Sequence, residues 1–225
     1  MKVIAMAGIQ DFQEYVDDFF GTSATFPTSA DPATPWLAVD TSSAGTPTYV
    51  RNASNAVLTL AATSEVENVC LAHGDALSFD IDDIQRIEFR AKVSGCTTGT
   101  TISFGLASAR NDDTAAMTAL ALFKMTGATS TTDVTVETDD NVTDTAPVST
   151  GVTLATVFKR FVIDFTGGKS NVKFYIDGVR VAASTTFTMA GYTAGLQPFI
   201  QIQKAANTNV DAITVDYVKI VAKRA

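Results

Sequence analysis

The hydrophobic positions of this chain recur with a period of two, most plainly over residues 157–182. There Phe161, Ile163 and Phe165 alternate with Arg160, Val162 and Asp164. After a break at Thr166-Gly167-Gly168-Lys169-Ser170, Val172, Phe174 and Ile176 alternate with Lys173, Tyr175 and Asp177. Successive side chains of an extended chain point to opposite faces, so the pattern predicts an antiparallel hairpin with one face buried. Asp177-Gly178 then supplies a tight turn in which glycine takes positive φ, and Val179-Arg180-Val181 leaves it extended.

The same reading extends along the chain. Residues 84–93 put Ile87, Phe89, Ala91 and Val93 on one side and Glu88, Arg90 and Lys92 on the other. Residues 101–107 turn Ile102, Phe104 and Leu106 inward. Further strands are predicted at 36–39, 57–60, 66–71, 119–125, 133–137, 196–203 and 213–221. Residues 22–35, with Pro27, Pro32 and Pro35, read as a loop, as do 40–48 and the threonine-rich 138–150. Residues 110–117 could make one helical turn, with Asp112 or Asp113 near its start. Short strands separated by Gly, Thr, Asp and Ser turns, with helical periodicity nearly absent, predict an all-β fold. The expected architecture is a two-sheet antiparallel jelly-roll sandwich. Its core should include Phe89, Phe104, Phe161, Ile163, Phe165, Phe174 and Ile176. No linker separates two cores, so residues 21–225 are expected to form a single domain. Residues 1–20 precede it as an N-terminal arm or edge strand.

Composition narrows the partners. A hydrophobic content of 46% with 18% charge argues against global disorder. A net charge of -8 makes nucleic acid an unsuitable partner, because phosphate binding needs clustered Lys and Arg. No apolar run approaches the roughly 20 residues that cross a bilayer, so no membrane span is expected. The opening stretch is too short and too soon acidic for a secretory signal, which leads us to expect synthesis and folding in the cytoplasm. Cys70 lies in an apolar run and reads as a buried small hydrophobe, and Cys96 follows Gly95 in a turn. A bridge between them fits the count but not a reducing compartment.

Two strings carry a resemblance. Phe174-Tyr-Ile-Asp-Gly-Val-Arg-Val181 resembles a hairpin of concanavalin A-like lectin and glucanase jelly rolls, which include laminin-G-like and laminarinase-like domains. Ile213-Thr-Val-Asp-Tyr-Val-Lys-Ile220 resembles the last strand of those folds. A narrower resemblance covers most of residues 57–221, on the runs 58–93, 104–113, 136–140, 158–165 and 172–182. These are similar to head-decoration (cement) proteins of tailed bacteriophages. That resemblance implies a structural protein, not an enzyme, on the virion capsid surface. Its implied partners are the major capsid protein and further copies of itself, as a homotrimer. The apolar Ile4, Met6, Ile9, Phe12 and Tyr15 of the N-terminal arm are the candidate interface.

Residues with catalytic or binding chemistry are few. Glycoside hydrolysis needs two carboxyls flanking the scissile bond. The nearest pairs are Glu65-x-Glu67 and Glu137-x-Asp139, and neither has a third acidic partner at the laminarinase-type spacing. The single histidine, His73, reads as a loop residue and cannot make a multi-His metal site. Asp80, Asp82 and Asp83 form the densest acidic cluster, which offers ligands for a structural calcium or bonds to backbone N–H groups in a turn. No other cofactor is implied. The alternative function is a carbohydrate-binding module or lectin-like adhesion domain. Tyr175, on the outward phase of its strand, is then the best stacking candidate for a glycan, with Trp36, Tyr49 and Tyr192 behind it. Trp36 more naturally fills the core.

Overall fold

The computed structural model describes residues 12–21, 23–76, 79–127, 133–153 and 156–224. Its strands are β1 Phe12–Asp17, β2 Ala24–Thr25, β3 Leu37–Asp40, β4 Thr48–Arg51, β5 Ala56–Thr59, β6 Glu65–Ala72, β7 Phe79–Asp80, β8 Ile84–Val93 and β9 Thr100–Ala107. They continue as β10 Leu120–Thr126, β11 Asp133–Asp139, β12 Asp144–Thr153, β13 Lys159–Asp164, β14 Lys173–Ile176, β15 Val179–Val181, β16 Gly195–Asn207 and β17 Ala212–Lys223. Two antiparallel sheets result. One runs β15-β14-β13-β8-β17-β5-β4-β2, with β1 also on β17. The other runs β12-β11-β10-β9-β16-β6-β3, with β7 on β16. Among the described residues there is no α-helix, only 3-10 turns at Thr114–Ala116 and Lys169–Asn171.

The core lies between the sheets, where the inward phases of both meet. All seven residues expected there are buried. A chain of rings crosses the interface: Phe89 to Phe104 at 5.4 Å, Phe104 to Phe161 at 5.0 Å, Phe123 to Phe161 at 5.1 Å, Phe123 to Phe174 at 5.3 Å. Most of these pairs are edge-to-face or tilted, the geometry that the ring quadrupole favours. Period-two alternation works here because each strand buries one face only. The Asp177-Gly178 turn has φ of 51° and 82°, both positive as a two-residue hairpin loop requires. Asp177 also caps the hairpin, accepting from the Arg160 backbone N–H at 2.9 Å.

The loop expected at 138–150 is largely a strand. β12 pairs with β11 and forms the open edge of its sheet, with two register shifts along the pairing. An edge strand buries little, so it needs no apolar alternation, and Pro147 is tolerated where no ladder bond is required. The one helical turn is centred on Thr114–Ala116, with Asp113 accepting from the Ala115 N–H at 3.0 Å.

Residues 12–17 are an edge strand rather than a free arm. β1 pairs with β17 from Phe12↔Lys223 to Asp17↔Val218. Tyr15 is half-buried and packs on His73 and Phe79, both with ring centroids at 5.6 Å. Phe12 stays exposed. Ile4, Met6 and Ile9 lie outside the described residues.

Candidate functional site

The outward phase of the eight-stranded sheet is where polar chemistry gathers. The register aligns its side chains in rows. Asn68, Gln203, Thr101 and Thr126 form the first row across β6, β16, β9 and β10. Gln201, Ser103, Lys124 and Thr135 form the second, running on to β11. Phe199, Gly105, Leu122 and Glu137 form the third. Two rows are thus almost wholly amide, hydroxyl or ammonium, and the third is mostly apolar.

The segment 108–119 lies over the apolar part. Its ends are tied by Ser108 N–H to Ala119 O at 2.8 Å and Ala119 N–H to Ser108 Oγ at 2.9 Å. Met117 then closes over Leu122, Phe199 and Cys70, a small cluster separate from the main core. Polar ties hold the segment down. Gln201 Nε2 donates to Asn111 O at 3.0 Å and to Asn68 Oδ1 at 3.0 Å. Lys124 Nζ donates to Thr114 Oγ1 at 3.0 Å. Gly105 allows the close packing beneath: a Cβ there would meet the Ala121 carbonyl oxygen at 2.2 Å.

Beside this cover a cleft of about 220 Å³ remains open, lined by Asn68, Thr101, Gln203 and Asp112, with Glu67 and Lys204 at one end. Glu67 and Lys204 are fully buried and stand 3.6 Å apart. On the other side of the cover, Glu137 is 3.4 Å from Lys124 Nζ. Burial pushes the Glu137 carboxyl above the usual carboxylate range, and Lys124 partly opposes that shift.

The other residues that the sequence singles out fall elsewhere. Trp36 is completely buried among Phe19 and His73, and its indole N–H donates to Asp17 Oδ2 at 2.9 Å. It has no ring face to offer a sugar. Tyr175 is half-exposed on the outer face of the opposite, nine-stranded sheet, so the two expected glycan contacts are not brought together. His73 is the loop residue expected, in the bend just after β6, but its ring is buried, and burial lowers its pKa to about 4. Asp80 turns its carboxylate to the Asp82 N–H at 2.9 Å, and Asp82 pairs with Lys169 at 2.7 Å. Among the described residues no group of three or more His, Cys, Asp or Glu is placed to hold a metal. Of the carboxylate pairs, Glu65 and Glu67 converge on one hydroxyl, both accepting from Thr63 Oγ1, but Glu67 is fully buried against Lys204. In Glu137-x-Asp139, Asp139 is taken by the Asn141 N–H at 2.8 Å. Neither Cys70 nor Cys96 is in a disulfide, both are buried, and burial raises the Cys96 pKa to about 12, so neither is an activated nucleophile.

The polar rows leave only a faint trace in the sequence. Their signal is the outward phase of strands recognised by their apolar phase: Thr101 and Ser103, Lys124 and Thr126, Gln201 and Gln203.

No protein-family model matches the chain, and no curated protein matches it by sequence. Solved structures do. The catalytic domain of an endo-1,3-β-glucanase (laminarinase) from Thermotoga petrophila is 12% identical, with a TM-score of 0.62 over 96% of this chain and 100% of that one. A pseudo β-1,3-glucanase of Mycobacterium tuberculosis is 14% identical, with a TM-score of 0.60 over 94% of this chain and 98% of that one. The carbohydrate recognition domain of Emp47p is 12% identical, with a TM-score of 0.57 over 90% of this chain and 95% of that one. These likenesses say nothing of a capsid. They also overturn the expectation that the chain is not an enzyme, because glycoside hydrolases are among the structures that share its architecture. The chain is a two-sheet jelly roll of the concanavalin A-like lectin and glucanase fold.

Proposed function

We propose that the chain binds a neutral glycan in the cleft at the uncovered end of the eight-stranded sheet. The observation that carries this is the row Asn68, Gln203, Thr101 and Thr126 side by side on one outward face. Side-chain amides and hydroxyls each offer both donors and acceptors, the complement of a sugar's hydroxyl groups. The nearby charges are already engaged, Lys124 with Glu137 and Arg110 with Asp112, which suits a neutral ligand. The shared fold of a carbohydrate recognition domain and of glucanases supports the reading. A glycan array probed with the purified chain tests it. Retention of at least one neutral oligosaccharide is expected, and an array without any bound neutral glycan overturns it.

One observation favours a second reading, cleavage of a glycan at Glu137, on the other side of the covering segment from the cleft. Burial keeps Glu137 protonated to higher pH than an ordinary carboxyl, the state a general acid needs. Asp139, on the same strand face two residues on, is the nearest candidate for the second carboxyl, with one oxygen accepting from the Asn141 N–H at 2.8 Å. Release of reducing ends from the array-selected glycan, abolished in Glu137→Gln, is the expected result. A wild-type chain that releases none refutes it. Capsid decoration rests on the sequence resemblance over 57–221, and co-sedimentation of the chain with phage particles is its test.

A further inference from the structure

The opposite face of the molecule carries a second cluster that the neutral-glycan cleft does not use. On the outer side of the nine-stranded sheet a cleft of about 290 Å³ is lined by Arg86, Arg160, Val162, Asp164 and Tyr175, among others. The register places Tyr175 directly opposite Val162 on β13 and Arg180 on β15. These two side chains, Tyr175 and Val162, make an apolar floor. Lys173 and Arg86 stand in the next row along, on either side of Asp164. Arg160 stands in the row on the other side, opposite Arg90.

Arg86, Arg160, Lys173 and Arg180 therefore surround one half-exposed aromatic ring, one cation from each of four consecutive strands. Among the described residues none of the four has a carboxylate within ion-pair distance. Three carboxylates share this face, Glu88 and Asp164 in the wall of the cleft itself. Glu88 accepts from Tyr217 Oη at 2.6 Å, Asp164 accepts from the Thr166 N–H at 2.8 Å, and Asp216 pairs with Arg90. Four cations against the carboxylates of Glu88 and Asp164 leave a local excess of positive charge around a stacking platform, in a chain of net charge -8.

We propose that this face is a second binding surface and that its occupant is a polyuronate, a linear glycan with one carboxylate on each sugar ring. Tyr175 supplies a face for a pyranose ring, as aromatic side chains do wherever one side of a ligand is apolar. Guanidinium groups bind carboxylates through paired N–H donors, which selects a carboxylate over a neutral hydroxyl. The cations rise from strands about 4.8 Å apart, so successive carboxylates of an extended chain can each find one. This inference stands independently of the neutral-glycan cleft, which lies on the other sheet.

The probe is polygalacturonate, with dextran as the neutral polymer and duplex DNA as the non-sugar polyanion, each measured by affinity electrophoresis and calorimetry. The wild-type chain should bind polygalacturonate, with affinity falling as salt rises. It should bind neither dextran at this face nor DNA with comparable strength. Arg160→Ala/Arg180→Ala should weaken binding by about tenfold or more with an unchanged melting temperature, since both side chains are exposed. Tyr175→Ala should weaken it as well, at any salt concentration. Absence of binding at low salt, equal binding by the double variant, or equal affinity for DNA each overturns the proposal. Thr101→Ala/Gln203→Ala, in the other cleft, should leave polygalacturonate binding unchanged, and a loss there would move the site off this face.

Discussion

Lys204→Met is the most informative single perturbation of this fold, because it removes the positive half of a pair that no water reaches. Lys204 on β16 faces Glu67 on β6, and both side chains are 0% exposed. The ammonium donates to the carbonyls of Ala61 and Thr63, the latter at 2.8 Å, and approaches Asn209 O at 3.4 Å. The carboxylate accepts from the Ala61 N–H at 2.8 Å and from Thr63 Oγ1 at 3.0 Å. The pair thus ties the turn after β5 to both β6 and β16. Methionine fills a similar volume, so packing is nearly conserved and the loss is electrostatic. Glu67 is left as a buried charge without a cation, and the carbonyls lose their donor. Breaking a buried pair from one side costs about 3–5 kcal/mol. For a chain of this size that corresponds to roughly 10 °C in melting temperature. Glu67→Gln/Lys204→Met removes both charges, and its cost should fall to about 1–3 kcal/mol, that of the unpaired carbonyls. Urea unfolding of the wild type, both single variants and the double variant closes the cycle, with the buried Trp36 as the fluorescent reporter. A loss under about 1 kcal/mol for Lys204→Met, or additive single losses, would refute the reasoning.

Two further outcomes follow from the interior. Phe174 is fully buried, with rings of Phe123 at 5.3 Å and Phe187 at 5.0 Å, and Phe174→Ala should cost about 3–5 kcal/mol in denaturant unfolding, whereas a cost under about 1 kcal/mol would reverse the inward phase of β14. His73 has a folded pKa lowered to about 4 by burial, so the unfolded chain takes up its proton first as pH falls. Its contribution is fully present above about pH 6.5 and is lost between there and pH 4, by about 3 kcal/mol. Stability measured across that range should show a slope that His73→Gln removes; an unchanged slope would place the ring in water.

The hairpin β13–β14–β15 and the long β8 were legible because each buries one face and leaves the other in water, so composition alternates residue by residue. β12 was not, because an edge strand with both faces half-open imposes no such alternation. Glu67 misled for a different reason. It occupies an inward position that sequence reserves for apolar side chains, and only its distant cross-strand neighbour Lys204 makes that position tenable. Trp36 was legible as core material, but not the Asp17 carboxylate that satisfies its indole, since that residue comes from the edge strand β1. The polar rows of the candidate site are set by the register of five strands from distant parts of the chain. A single strand shows only one or two polar outward residues, as any solvated face would.

The central claim is that a glycan sits on Asn68, Gln203 and Thr101. The most direct measurement is calorimetric titration of the array-selected neutral oligosaccharide into wild type and Thr101→Ala/Gln203→Ala. Both side chains are only partly buried, so the variant should keep its melting temperature. Saturable binding by the wild type, weakened about tenfold or more in the variant through the lost hydrogen bonds, is the predicted result. Equal affinities for the two proteins would contradict the account.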